Sequence, residues 1–111
     1  MIVGILHLKF FIRGARSLKE KRSVVKSFIN RVRAKHNVSV AEVANQDDMK
    51  IGAVAVAIVG NDTAFLQKVL EDIRQKAIGT VGAELVSDFI DFSYGDIDED
   101  EAFDWETDEY V

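Results

Sequence analysis

The chain has 111 residues, 48% of them apolar, with no cysteine, no proline and a formal net charge of −5. That length suits one domain around one core, and the lack of cysteine excludes disulfides, thiolate catalysis and cysteine-ligated zinc. The net charge conceals two opposed poles: ten of the fourteen basic side chains fall between Lys9 and Lys35, and nine of the nineteen acids between Asp96 and Glu109. Residues 1–95 therefore carry a formal +4 and residues 96–111 a formal −9. A basic body of this kind reads either as a surface for a polyanion, with nucleic acid foremost, or as the solvated faces of a small self-associating domain. The opening MIVGILHL is apolar but lacks the basic flank, cleavage site and length of a signal or membrane span, so a cytoplasmic protein without membrane contact is expected.

Residues 2–12 alternate, with Ile2, Leu6, Leu8, Phe10 and Ile12 on one face and Val3, Ile5, His7, Lys9 and Phe11 on the other, which predicts a strand. Arg13 to Arg16 form the turn out of it. Ser17 with Glu20 three residues later has the form of a capping box, and Leu18, Val25, Phe28, Ile29 and Val32 follow at helical spacing, predicting a helix over 18–35 whose other faces are basic. His36 and Asn37 close that helix. Residues 38–44 and 51–59 predict two strands joined as a hairpin by the polar turn 45–50, the second so continuously apolar that it belongs in the middle of a sheet. Asn61 or Asp62 caps a second helix over about 63–77, with Phe65, Leu66, Val69, Ile73 and Ala77 as its buried stripe. Gly79 and Gly82 bracket a loop, and 85–94 reads as a last strand.

The order β-α-β-β-α-β predicts an α+β, ferredoxin-like domain over residues 1–95: a four-stranded antiparallel sheet with both helices on one face. The other sheet face, carrying Val3, Ile5, Phe11, Val59 and several alanines, is apolar enough to call for a partner, and self-association as a dimer or higher oligomer is expected. Residues 96–111 show neither period. They are read as a flexible acidic tail with Phe103, Trp105 and Tyr110 as potential anchors, either a solubilising end or a mimic of nucleic acid that folds back on the first helix.

The run RSLKEKR at 16–22 and the segment HNVSVAEV at 36–43 resemble the YlxP-like (DUF503) family of small bacterial proteins, and the likeness extends to about residue 95. The resemblance implies a ferredoxin-like fold. It also implies a neighbourhood of ribosome maturation and translation, since genes of the family often sit beside those functions, but it assigns no reaction.

Arg13, Arg16, Lys19, Lys21, Arg22 and Lys26 are the candidate residues for binding nucleic acid or another anion, since they gather before and within the first turns of one helix. Lysine and arginine neutralise phosphates with little demand on geometry, and a helix start favours an anion. Glu20, in the same turn, opposes them. An RNA-recognition module that stacks bases on its open sheet would need aromatic residues on the third strand, and 51–59 has none. A phosphate-ester or acyl-phosphate hydrolase would need a glycine-rich phosphate loop after the first strand, where RGARS supplies one glycine. His7 and His36 read as structural. Asp96, Asp98 and Asp100 start like a calcium loop, but Glu101 and Thr107 occupy its glycine and final glutamate positions. No catalytic residue, cofactor or metal is expected.

Overall fold

The computed structural model describes residues 1–95; the acidic tail expected over 96–111 lies outside the described residues. The elements are β1 (Ile2–Phe11), α1 (Leu18–Lys35), β2 (Ser39–Ala44), β3 (Ile51–Gly60), α2 (Thr63–Ile78) and β4 (Glu84–Tyr94). They form one antiparallel sheet in the order β2-β3-β1-β4, the ferredoxin-like arrangement. Every element stands within two residues of its predicted limits.

Period-2 alternation sends Leu6, Leu8 and Phe10 of β1, Val40 of β2 and Val54 and Val56 of β3 to the helix side, where they meet Val25, Phe28 and Val32 of α1 and Leu70, Ile73 and Ala77 of α2. Phe10 and Phe28 pack edge to face across this core, with ring centroids 5.2 Å apart. Phe65, expected in the buried stripe of α2, is exposed, and the buried stripe runs through Leu66, Leu70, Ile73 and Ala77.

Both helix starts are capped. The Ser17 hydroxyl accepts the Glu20 amide at 3.1 Å, and Asp62 accepts the amides of Ala64 and Phe65 at 3.0 and 3.3 Å. The returning half of the capping box is displaced by one residue: the Glu20 carboxylate accepts the Arg16 amide and not that of Ser17. Arg31 of α1 donates to Thr80 Oγ1 at 2.8 Å, tying α1 to the loop after α2, and across the layers Arg74 of α2 meets Asp88 of β4 at 2.8 Å, a contact that lifts the guanidinium above its ordinary pKa.

Each edge strand carries one bulge. Glu42 faces Val54 and Ala44 faces Ala53, which leaves Val43 as the extra residue of β2; on the other edge Ser87 faces Lys9 and Leu85 faces Phe10, which leaves Val86 extra. Gly52 lies where α1 crosses β3, and a Cβ there would sit 2.8 Å from Val25 Cγ2. Gly52→Ala is expected to cost about 1–3 kcal/mol through overpacking, and adding Val25→Ala should recover part of it. Urea unfolding of the single and double variants checks both statements.

Candidate nucleic-acid interface

The ten basic side chains of residues 9–35 do not form one patch. Lys19, Arg22 and Lys26, at i, i+3 and i+7, line the outer face of α1 over about 10 Å of helix axis. Arg16 stands exposed in the loop just before them. None of these four side chains makes an ion pair or hydrogen bond among the described residues. Arg33 lies on the same helical stripe, but its guanidinium donates to the Val40 carbonyl at 3.0 Å and so is already spent on holding α1 to β2.

Lys21 is corrected from the expected surface set. Its side chain is 0% exposed, and its ammonium lies 2.6 Å from the Glu42 carboxylate and 3.0 Å from the Asn45 carbonyl. The reason is periodicity: Lys21 shares the inward stripe of Val25, Phe28 and Val32, and Glu42 shares the inward parity of Val40 on β2. Asn45 leaves β2 in the left-handed region, at φ 58°, which a short amide side chain tolerates. Its carbonyl also accepts the Asp48 amide at 3.0 Å. The Asp48 carboxylate in turn accepts the amides of Lys50 and Ile51, and these bonds hold it below the usual carboxylate range.

A second lysine closes the same end of the domain. Lys50 Nζ donates to the carbonyls of Arg13 and Ala15 at 2.8 and 2.5 Å, tying the β2–β3 turn to the β1–α1 loop. That loop thus turns two carbonyls toward an ammonium, and its Arg16 amide is occupied by Glu20. An anion cradle of the hydrolase type needs free amides there.

Arg13 belongs to the other side of the sheet. Its guanidinium lies 5.1 Å from the centroid of the Phe11 ring and 3.4 Å from Glu84, and both residues stand on the face that no helix covers. The same face carries Lys9 and a pair of parallel rings, His7 on β1 and Phe89 on β4, with centroids 4.1 Å apart and planes 13° from parallel. Phe89 is 55% exposed. Sequence reasoning missed this pair, because it depends on which residue of β4 lies beside His7. Among the described residues no group of three or more histidines or acids is placed to hold a metal ion, and no helix is long and apolar enough to cross a membrane.

Residues 3–88 match the family described as "Protein of unknown function (DUF503)". The chain belongs to this family. A relative from Bacillus subtilis (strain 168), called "Uncharacterized protein YlxP", is 33% identical over 72 residues, which cover 65% of this chain and 78% of the relative. The buried Lys21 and its partly buried partner Glu42 lie within the DUF503 match, as do His7, Lys9 and the α1 stripe. Among solved structures, the de novo designed protein Foldit4 has a TM-score of 0.53 at 11% identity, covering 86% of this chain and 100% of its own. That likeness concerns the fold alone. SnoaB, described as a cofactor-independent oxygenase from Streptomyces nogalater, reaches 0.48 at 11% identity, covering 88% of this chain and 96% of its own, too low a score to bear on activity.

Removing one member of a buried ion pair leaves the other charge unsatisfied, a loss of about 3–5 kcal/mol in comparable sites. Lys21→Met is expected near the lower end of that range, because Glu42 keeps 17% exposure and some contact with water. The double variant Lys21→Met, Glu42→Leu should regain much of the loss. A double-mutant cycle by denaturant unfolding measures it, and additive losses would contradict the pairing.

Proposed function

We propose that this protein is a non-enzymatic, cytoplasmic RNA- or ribonucleoprotein-associated domain that contacts phosphates through Arg16 and the Lys19, Arg22 and Lys26 stripe of α1. The observation that carries this reading is that these four cations stand exposed together on one helix and its leading loop without an acidic partner among the described residues, while Lys21, Arg31 and Arg33 are drawn into structural contacts. Unpaired cations in a row repel one another and stabilise no described element, so their grouping is best accounted for by a polyanion laid across them. RNA or a ribosomal particle is the polyanion that agrees with the ribosome-maturation setting implied by the family resemblance. Arg13, set apart on the opposite sheet face and opposed by Glu84, contributes from the rim.

A second reading, a homo-oligomeric module without nucleic acid, is favoured by one observation. The open face exposes Val59 at 64% and Phe89 at 55%, and it is floored by Ala41, Ala53, Ala55 and Ala57. Its projected area is on the order of 600 Å² from strand length and spacing, near the ~800 Å² of accessible surface that each partner of a standard interface covers. Under this reading a second copy covers the sheet, and assembly is insensitive to salt.

Binding of single- and double-stranded RNA as a function of salt separates the two. The charge-reversal triple variant Arg16→Glu, Lys19→Glu, Arg22→Glu is expected to lower RNA affinity at least tenfold at low salt and to reduce the slope of log affinity against log salt by about 3. Equal affinity and an equal slope would sink the RNA reading, and a dimer by sedimentation that persists at high salt without RNA would favour the second.

A further inference from the structure

We propose that the open sheet face holds a slot for one unpaired base of single-stranded RNA, between the His7 ring and Val43, with Lys9 on the adjoining phosphate and Asn45 at the base edge. This inference rests on the RNA reading above and gives it a second contact surface, on the side of the sheet away from α1.

The slot is a consequence of strand order. β3 lies between β2 and β1, and its residue under the slot is Ala53, opposite Lys9, with Ala55 next to it on the same face opposite His7. Both are too small to fill the space between His7 and Lys9 on β1 and the bulge residue Val43 on β2, and directly across from them β2 carries only Ala44 and Ala41. From β1 to β2 is two strand spacings, about 9.5 Å. The His7–Phe89 pair already shows that a ring stacked on this face needs 4.1 Å, so one further planar ring fits on the free side of His7. The concavity encloses about 340 Å³, and its lining joins His7, Lys9 and Phe89 to Val43 and Asn45. That volume lies in the range of small-ligand sites.

The far wall exists because of the β2 bulge. Val43 is the extra residue there and is 56% exposed. The bulge is gripped from behind the sheet by the residue before it and the second residue after it, since Lys21 takes the Glu42 carboxylate and the Asn45 carbonyl at once. A bulge re-aims a side chain and locally twists the edge. The buried lysine therefore positions Val43 and Asn45 at the slot without touching what enters it.

The chemistry of the rim fits a nucleotide better than an apolar ligand. Every base offers a π-face, so an aromatic platform accepts single strands with little sequence preference, whereas a duplex keeps its bases stacked and cannot enter. Lys9 and Arg13 lie toward the loop end of the face, and the acids of the face flank that path: Glu84 pairs with Arg13, and Asp91 stands beside Ile5 toward the chain termini. The phosphate path thus runs from the slot toward the β1–α1 loop, where Arg16 begins the α1 stripe.

The test uses the full chain and two probes, adenosine 5′-monophosphate and an eight-residue oligoadenylate, with an RNA duplex as control. The monophosphate is expected to shift the His7 and Phe89 ring resonances. Phe89→Ala, which removes the half-exposed ring that backs His7 and holds it upright as a platform, should weaken oligoadenylate binding severalfold and leave duplex binding unchanged. Ala53→Phe should do the same by filling the slot while leaving both rings in place. Oligoadenylate affinity unchanged in both variants overturns the slot, and if the α1 charge reversal still abolishes binding, the RNA reading stands without it. Ring shifts and losses in both variants, combined with no effect of the α1 reversal, support the slot and defeat the helix reading. A dimer that Phe89→Ala dissociates, with no ring shift from either probe, overturns the slot in favour of a second copy on this face.

Discussion

The buried pair between Lys21 and Glu42 is the contact on which the site end of this domain depends. An ammonium taken wholly out of water needs a counter-charge and hydrogen-bond acceptors in fixed places. Lys21 finds both at the end of β2, the carboxylate of Glu42 just before the bulge and the carbonyl of the left-handed Asn45 just after it, so one side chain of α1 holds both ends of that irregular stretch. A pair of this kind adds less to stability than an apolar core contact of the same volume. What it contributes is definition: one register for β2 and one direction for the turn. Lys50 repeats the device in the opposite sense, reaching from the hairpin turn to the carbonyls of the β1–α1 loop. Two lysines thus join the loop that leads into α1 to the turn beside the open sheet face.

This arrangement explains why the basic half of the chain is not a uniform charged face. Lys21, Arg31, Arg33 and Lys50 act inward, each on a carboxylate, a carbonyl or a hydroxyl of a neighbouring element. Arg16, Lys19, Arg22 and Lys26 are left facing outward on the helix side, with Lys9 and Arg13 on the sheet side. The two outward groups meet at the β1–α1 loop. A single strand that follows the sheet past Lys9 toward Arg13 arrives at the start of the α1 stripe, so one continuous polyanion can use both.

Much of the fold was legible in the residues. The alternation in 2–12, the Ser17 cap, the unbroken apolar run of β3 and the Asp62 cap each carry a local physical reason, and the elements followed from them. The interior place of Lys21 was legible too, in its spacing of four and seven residues to Val25 and Phe28 and in the inward parity of Glu42. The density of neighbouring charges made it look like one of the surface set. The His7–Phe89 platform was not legible, because those residues lie 82 positions apart and the Val86 bulge shifts the parity of β4 partway along. The absence of aromatics on β3 argues against base stacking on that strand, and the exposed ring pair of the face lies on β1 and β4 instead. In the proposed slot the small side chains of β3 are what leaves room for a base.

Amine labelling of the native protein, read lysine by lysine by mass spectrometry with and without single-stranded RNA, tests this partition most directly. Lys21 should stay unmodified in both states. Lys9, Lys19 and Lys26 should react readily alone and be protected together when RNA is present. Modification of Lys21 at the rate of Lys19 in the folded chain, or labelling of Lys9, Lys19 and Lys26 that saturating RNA leaves unchanged, would contradict the account.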